Sequence, residues 1–288
     1  MNVLILGANG MLGSAFMRVL APDSALKTWG TVRMASTQAL FSKALATRLI
    51  YGVDVIQASQ LERAFDQIKP ELVINCIGLV KQDSQANKPV QAITINALLP
   101  HQLAKLCQAR NARLIHFSTD CVFSGDRGDY RETDSPDAED LYGRSKLLGE
   151  LNDPNTLTLR TSIIGHELVG TQGLLEWFLA QEGSCSGYTK AVFSGLPTVV
   201  LAQLVRDTVI PRPDLTGVYH VSAEPISKYN LLKAIATQYG KVIDIVPSDA
   251  LVIDRSLNSE RFSKQTGWVA PSWDIMIKKM HTDRAQYV

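Results

Sequence analysis

Residues 2–13 read Asn2-Val3-Leu4-Ile5-Leu6-Gly7-Ala8-Asn9-Gly10-Met11-Leu12-Gly13. The first five form a short continuous apolar run, as in a parallel strand covered on both faces. Glycines follow at 7, 10 and 13, and apolar residues then recur at helical spacing at Leu12, Ala15, Phe16 and Val19. A strand, a glycine loop and a helix in this order suit the pyrophosphate of a dinucleotide. Glycines permit a tight turn and close backbone approach, and the free helix N-terminus carries partial positive charge. The spacing is GxxGxxG rather than GxGxxG, so the strand before it and the helix after it carry the assignment. Gly7, Asn9, Gly10, Met11 and Leu12 are the loop residues expected at the cofactor.

Working outward, a second strand candidate spans residues 27–33, and no acid occurs between Lys27 and Leu40. A carboxylate at this distance would bond the ribose 2′-hydroxyl of NAD, whereas an Arg accommodates the 2′-phosphate of NADP. Arg33 therefore favours NADP(H) over NAD(H), its other reading being an ordinary surface cation. Asp54, after a possible third strand at residues 49–55, is either an adenine contact or a turn cap.

Further strands are read at residues 72–77, 113–118 and 156–161. Helices are read at 59–68, 89–109 and 142–151. Alternating strands and helices predict an α/β chain, a Rossmann-type doubly wound parallel sheet. Residues 124–140 and 165–173 read as loops. After residue 162 strand signals become sparse, although 201–210 and 227–238 look helical. Residues 1–162 are assigned to the NADP-binding domain. Residues 163–288 are assigned mainly to a smaller, interleaved C-terminal substrate-binding lobe, with returns to the sheet around 191–216.

Composition narrows the function classes. Lys and Arg number 29 against 28 Asp and Glu, which excludes a charge-driven nucleic-acid or membrane-surface binder. No apolar run approaches the roughly 20 residues of a spanning helix. The four cysteines form no CxxC and the five histidines no HExxH, so free thiols, a cytoplasmic location and no metal site are expected.

Tyr142-Gly143-Arg144-Ser145-Lys146 sets Tyr142 and Lys146 one helical turn apart, on one face. Free Tyr titrates near about 10, and an ammonium beside it favours the phenolate. Such a Tyr can give a proton to a carbonyl oxygen as hydride arrives. Lys146 can also bond the ribose of a nicotinamide cofactor. The strand at 113–118 ends in Ser118-Thr119-Asp120, which brings a hydroxyl to the same sheet edge.

Together, residues 7–13, the stretch Ser118-Thr119-Asp120-Cys121-Val122-Phe123-Ser124-Gly125 and Tyr142 to Lys146 resemble the extended short-chain dehydrogenase/reductases. Within that superfamily the chain is most similar to the dTDP-4-dehydrorhamnose reductase branch, most closely over residues 1–165. The resemblance implies NADPH-dependent reduction of the C4 ketone of a nucleotide-linked 4-keto-6-deoxyhexose. Thr119 would polarise the carbonyl, Tyr142 donate the proton, and Lys146 tune Tyr142 and hold the ribose. Asn96 would match a supporting helix asparagine, its other reading being a helix-surface amide. Cys76, Ile77 and Gly78 would lie against the cofactor. In the second half, Lys190, Arg255 and Asn258 fall in stretches resembling those that hold the nucleotide-sugar. For Lys190 and Arg255 a solvent-facing role is the competing reading.

Two departures matter. Cys121 stands where the branch usually carries an aromatic residue, and it reads as a packed thiol. Dehydratases of the superfamily show Thr-Asp-Glu, and Asp120 has no Glu beside it. The wording of the second half is closer to enzymes acting on UDP-2-acetamido-2,6-dideoxyhexuloses. The alternatives are a nucleotide-sugar epimerase and a non-catalytic NADP-binding regulatory subunit. Neither a nucleic acid nor a membrane is expected as a partner, and the assembly entertained is a homodimer.

Overall fold

A computed structural model describes residues 1–79 and 88–285. β1 (Asn2–Leu6) runs into the glycine loop and α1 (Met11–Leu20) leaves it. Next come β2 (Lys27–Val32), a 3-10 turn (Ala35–Leu40), α2 (Lys43–Ala46), β3 (Leu49–Tyr51) and α3 (Ala58–Ile68). β4 (Leu72–Asn75) precedes a helical segment made of α4 (Pro89–Ala92), a π-helical turn (Ile93–Leu98) and α5 (Leu99–Ala109). β5 (Arg113–Ser118), α6 (Leu141–Leu148) and β6 (Thr156–Arg160) follow. The second half holds β7 (Ile163–Ile164), α7 (Leu174–Ala180), β8 (Ser184–Phe193), β9 (Leu196–Pro197) and α8 (Thr198–Leu204), which continues as a π-helical turn (Val205–Val209). It ends with β10 (Gly217–His220), β11 (Ile226–Ser227), α9 (Lys228–Tyr239), β12 (Asp244–Asp254), α10 (Glu260–Thr266) and α11 (Trp273–Arg284).

Seven strands form one parallel sheet in the order β10-β6-β5-β4-β1-β2-β3. The chain winds outward from β1 in one direction and from β4 in the other. Loops diverge between these two strands and leave a crevice at their carboxyl ends. Alternate residues of β1 feed separate cores. Val3 and Ile5 pack with α1 and α8, while Leu4 and Leu6 pack with α3 and α5. Burial on both faces is why the strand reads as unbroken apolar sequence. α1 is buried over nearly its whole length because α8 covers its outer side. On it, Arg18 donates from Nε and Nη2 to the two carboxylate oxygens of Asp283 on α11, at 3.1 and 2.8 Å, with both side chains buried.

A third apolar cluster, with Leu175, Phe178, Phe193, Leu231 and Ile235 among its members, is the core of the second half. There the structure differs from the expectation of sparse strands. β8 and β12 are ten and eleven residues long and pair in parallel in a three-stranded sheet. Most of β12 is exposed, so it needs no apolar periodicity, and Pro247 obscures it further. The return to the large sheet is β10, just beyond the 191–216 segment, which instead supplies the end of β8, the short β9 and α8. The strand read at 49–55 stops at Tyr51, because Gly52 turns the chain with φ +71°.

A Cβ on Gly13 would lie 2.1 Å from the Gly7 carbonyl oxygen, while one on Gly10 would meet only that oxygen, at 3.5 Å. Gly13→Ala is expected to cost about 3 kcal/mol, the upper end for overpacking. Gly10→Ala should cost less than about 1 kcal/mol as a mere change of cap residue. Denaturant unfolding of the two variants checks the ordering.

Candidate active site

The crevice holds a cleft of about 540 Å³. Its walls come from the ends of four strands. Gly10, Met11 and Leu12 follow β1, Cys76, Ile77 and Gly78 follow β4, Thr119 follows β5, and Thr161 follows β6. Tyr142 and Lys146 reach it from α6, and Arg255 from the segment after β12.

Gly7 takes φ +78°, turning the chain so that its carbonyl accepts the Gly10 N–H at 3.1 Å. Thr31 on β2 pins the loop. Its Oγ1 accepts from Gly7 N at 3.3 Å and its carbonyl from Ala8 N at 3.0 Å. α1 begins after Gly10 with no side-chain cap, so its first-turn N–H groups have no side-chain acceptor at the cleft mouth. Such a terminus suits an anion. Arg33 is exposed one residue beyond β2, on the strand tied to this loop. Asn9 is exposed beside the cleft and Gly7 shapes the loop from within.

Asn96 is not a helix-surface amide. It is buried in the π-helical turn, where its Oδ1 accepts from Leu79 N at 2.9 Å. Its Nδ2 donates to Leu79 O and Ser145 Oγ, each at 3.2 Å. Ser145 Oγ in turn donates to Tyr142 O at 2.9 Å. One amide thus fastens the segment after β4 to the helix that carries Tyr142.

α6 is capped by Asp140, whose carboxylate accepts the Gly143 N–H at 2.7 Å. A Cβ on Gly143 would lie 2.2 Å from Cys121 O, so the glycine lets α6 start directly against the Thr119–Cys121 turn. Thr119 Oγ1 donates to Asp120 Oδ1 at 3.0 Å and accepts from Cys121 N at 3.1 Å. Lys146 is buried and donates from Nζ to Phe117 O at 2.6 Å. Burial pulls its ammonium down to about 8, against the opposing charge of Glu150. The Tyr142 phenol is pushed well above its ordinary value, first by burial and then by Cys121, with Thr119 opposing. The lowering expected from Lys146 is not what the phenol shows, since its shift is upward and led by burial. Burial also pushes the Cys121 thiol up to about 12, in keeping with a packed thiol.

Arg255 donates from Nε to Phe123 O at 2.7 Å and from Nη1 to Cys121 Sγ at 3.7 Å. Three predicted residues lie elsewhere. Lys190 is exposed on β8, paired with Asp249 at 3.2 Å. Asn258 donates to Asp129 Oδ1 at 3.0 Å and is held by Tyr130 O through its own N–H. Asp54 Oδ1 accepts from Ile56 N at 3.2 Å, the bond of a turn cap. Lys190 serves the second lobe's own sheet, whereas Asn258 ties the segment after β12 to the 124–140 loop of the first half. The sequence reading missed Lys228, in the first turn of α9, and Glu167 and Gln172 in the 165–173 loop. Nothing in their local sequence separates them from surface residues.

Residues 1–284 match the family described as RmlD substrate binding domain. The chain belongs to that family. It is 29% identical over 272 residues to a probable low-salt glycan biosynthesis reductase of Haloferax volcanii, covering 90% of this chain and 85% of the relative. It is 25% identical over 315 residues to the dTDP-4-dehydrorhamnose reductase of Salmonella typhimurium, covering 98% of each. The crystal structure of a Bacillus anthracis dTDP-4-dehydrorhamnose reductase in complex with NADP shares the fold. Its TM-score is 0.79 at 24% identity, with 98% of each chain covered. Among the described residues of this family member, no helix is long and apolar enough to cross a membrane.

Asn96→Ala would strand the Leu79 N–H and C=O together. It is expected to cost about 1–3 kcal/mol in all, because Leu79 is only half-buried and water reaches part of what is left unpaired, read by chemical denaturation.

Proposed function

We propose that this protein reduces the C4 ketone of a nucleotide-activated 4-keto-6-deoxyhexose, with NADPH as the reductant. The observation that carries the reading is the convergence of Thr119, Tyr142 and Lys146 on the cleft that the glycine loop also lines. The cofactor fits the residues present. The glycine loop leaves open space at Gly10, α1 offers uncapped N–H groups, and Arg33 stands ready for the 2′-phosphate. Cys76, Ile77 and Gly78 would flank the nicotinamide half, and Lys146 would bond its ribose.

Bound NADPH supplies the hydride to C4. Thr119 exchanges its bond to Asp120 for one to the ketone oxygen and draws electron density from the carbon. Tyr142 gives its proton to the same oxygen, and the product is an alcohol. A raised phenol suits this direction, because the proton stays on Tyr142 until a far more basic alkoxide develops. The reverse direction, with which an epimerase begins, would ask for the phenolate. The intact trio likewise weighs against a non-catalytic subunit. Arg255 and Lys228, the cations of the far wall, suit the diphosphate of the nucleotide. The similarity to dTDP-4-dehydrorhamnose reductases supports a dTDP-linked sugar, and the wording of the second half makes a UDP-2-acetamido-2,6-dideoxyhexulose the alternative. All four cysteines are free, which supports a cytoplasmic setting.

Absorbance at the nicotinamide band, with dTDP- and UDP-4-keto-6-deoxyhexoses offered in parallel, should fall with one sugar only. Tyr142→Phe is expected to lose about 10²–10⁴-fold in kcat. Retention of most of the rate would remove Tyr142 as the acid. Arg33→Ala should cut the preference for NADPH over NADH by roughly tenfold to a hundredfold, the worth of one charge-assisted bond.

A further inference from the structure

Asp120 is a buried carboxyl that the steps above leave without a task. It lines the cleft one residue past Thr119 and is 8% exposed. Its partner is a neutral group, the Thr119 hydroxyl, with Oγ1 at 3.0 Å from Asp120 Oδ1. Thr119 Oγ1 also accepts from Cys121 N at 3.1 Å. A hydroxyl has one proton to give and two lone pairs to offer. The Cys121 N–H takes one of those pairs. As a carboxylate, Asp120 takes the proton, and Thr119 turns only a lone pair toward a ketone oxygen. Breaking that bond would leave a buried anion without its donor, which is costly. As a carboxylic acid, Asp120 donates to the second lone pair instead, and the Thr119 proton is released to the ketone.

We infer that Asp120 is a positioning residue, a neutral acid that donates to Thr119 Oγ1 and so aims the Thr119 proton at the ketone oxygen. The inference rests on the reduction proposed above. It leaves the proton count of that reaction unchanged, because the proton of Asp120 stays on Asp120 and Tyr142 remains the donor. Burial raises the Asp120 carboxyl above its ordinary value. The Thr119 hydroxyl, Arg255 beyond β12, the Cys121 thiol and Lys228 on α9 oppose that rise. From α6 it faces Tyr142, a phenol that burial keeps neutral. Arg255 spends Nε on Phe123 O and Nη1 on Cys121 Sγ, so its guanidinium acts on Asp120 through charge rather than through a bond. Arg255 and Lys228 are also the cations that suit the diphosphate. A bound diphosphate offsets both charges, so the substrate itself favours the acid form that its reduction needs.

An asparagine amide donates to Thr119 Oγ1 at every pH, whereas alanine cannot donate at all. Asp120→Asn is expected to keep kcat within about tenfold of wild type, and Asp120→Ala to lose about 10²–10³-fold at nearly unchanged KM, the worth of one oxyanion donor. In a Thr119→Val background, Asp120→Ala should cost nothing further, because the group it serves is gone. The acid form is present below the raised midpoint, so wild-type kcat should fall as pH rises through it. Asp120→Asn has no such limb and should hold its rate up to the Lys146 midpoint near 8. Aspartate labelled with ¹³C at Cγ reports the titration without turnover, by NMR of the whole protein with NADP⁺ bound, and Asp120→Asn assigns the resonance. The Asp120 midpoint should lie above the ordinary value of about 4 and rise further when UDP or dTDP is added. An ordinary midpoint that neither nucleotide raises, or an Asp120→Asn variant as slow as Asp120→Ala, would overturn the inference. The expected midpoint in a protein that turns over no ketosugar would overturn the proposed reaction instead, leaving the proton on Asp120 beside Thr119.

Discussion

One backbone contact sets the geometry of the first helix. The carbonyl of Gly7 occupies the space in which a side chain at residue 13 would begin, so α1 can lie against the end of β1 only with glycine there. From that seat α1 buries one side on the sheet and the other on α8, and its N-terminus opens into the cleft. The contact is thus shared by the fold and the site. A residue larger than glycine would push the helix off the sheet and its N–H groups away from any phosphate.

The site was legible where its chemistry lies in local sequence. β1, the glycine loop, the strand ending at Ser118 and the Tyr142–Lys146 spacing are each contained in short windows. Their two-sided burial or helical register leaves a periodic trace. Asn96 was legible as a position, but its role depends on a π-helical turn and two partners far along the chain. The second lobe was read least well, for a physical reason. β12 is mostly exposed, so burial leaves little alternation in it, while the buried positions of β8 are Cys185, Gly187, Ala191 and Phe193, whose small members give a weak apolar signal. Lys190 on β8 and Asn258 beyond β12 stand where a polar residue is equally at home in a salt bridge, a turn or at a ligand. Neither lines the cleft.

The cleft lining sorts its charges by burial. Arg255 and Lys228 are half-buried and Arg33 is exposed beyond β2, while burial keeps Tyr142 and Cys121 neutral. Lys146 is a buried ammonium, held by the Phe117 carbonyl. An arrangement of this kind draws a polyanion to the rim and presents it with a weakly acidic, poorly solvated floor. A ketone is more easily polarised there than in water.

The Arg18–Asp283 pair has a consequence for how the two halves of the molecule are joined. Its two members are 265 residues apart, one in α1 and the other in α11. Both are buried, and taking away one member of a buried charge pair strongly destabilises a fold. The glycine loop, through the helix that leaves it, is thereby anchored to the second half of the chain, so that a change confined to α11 is felt at the mouth of the cleft.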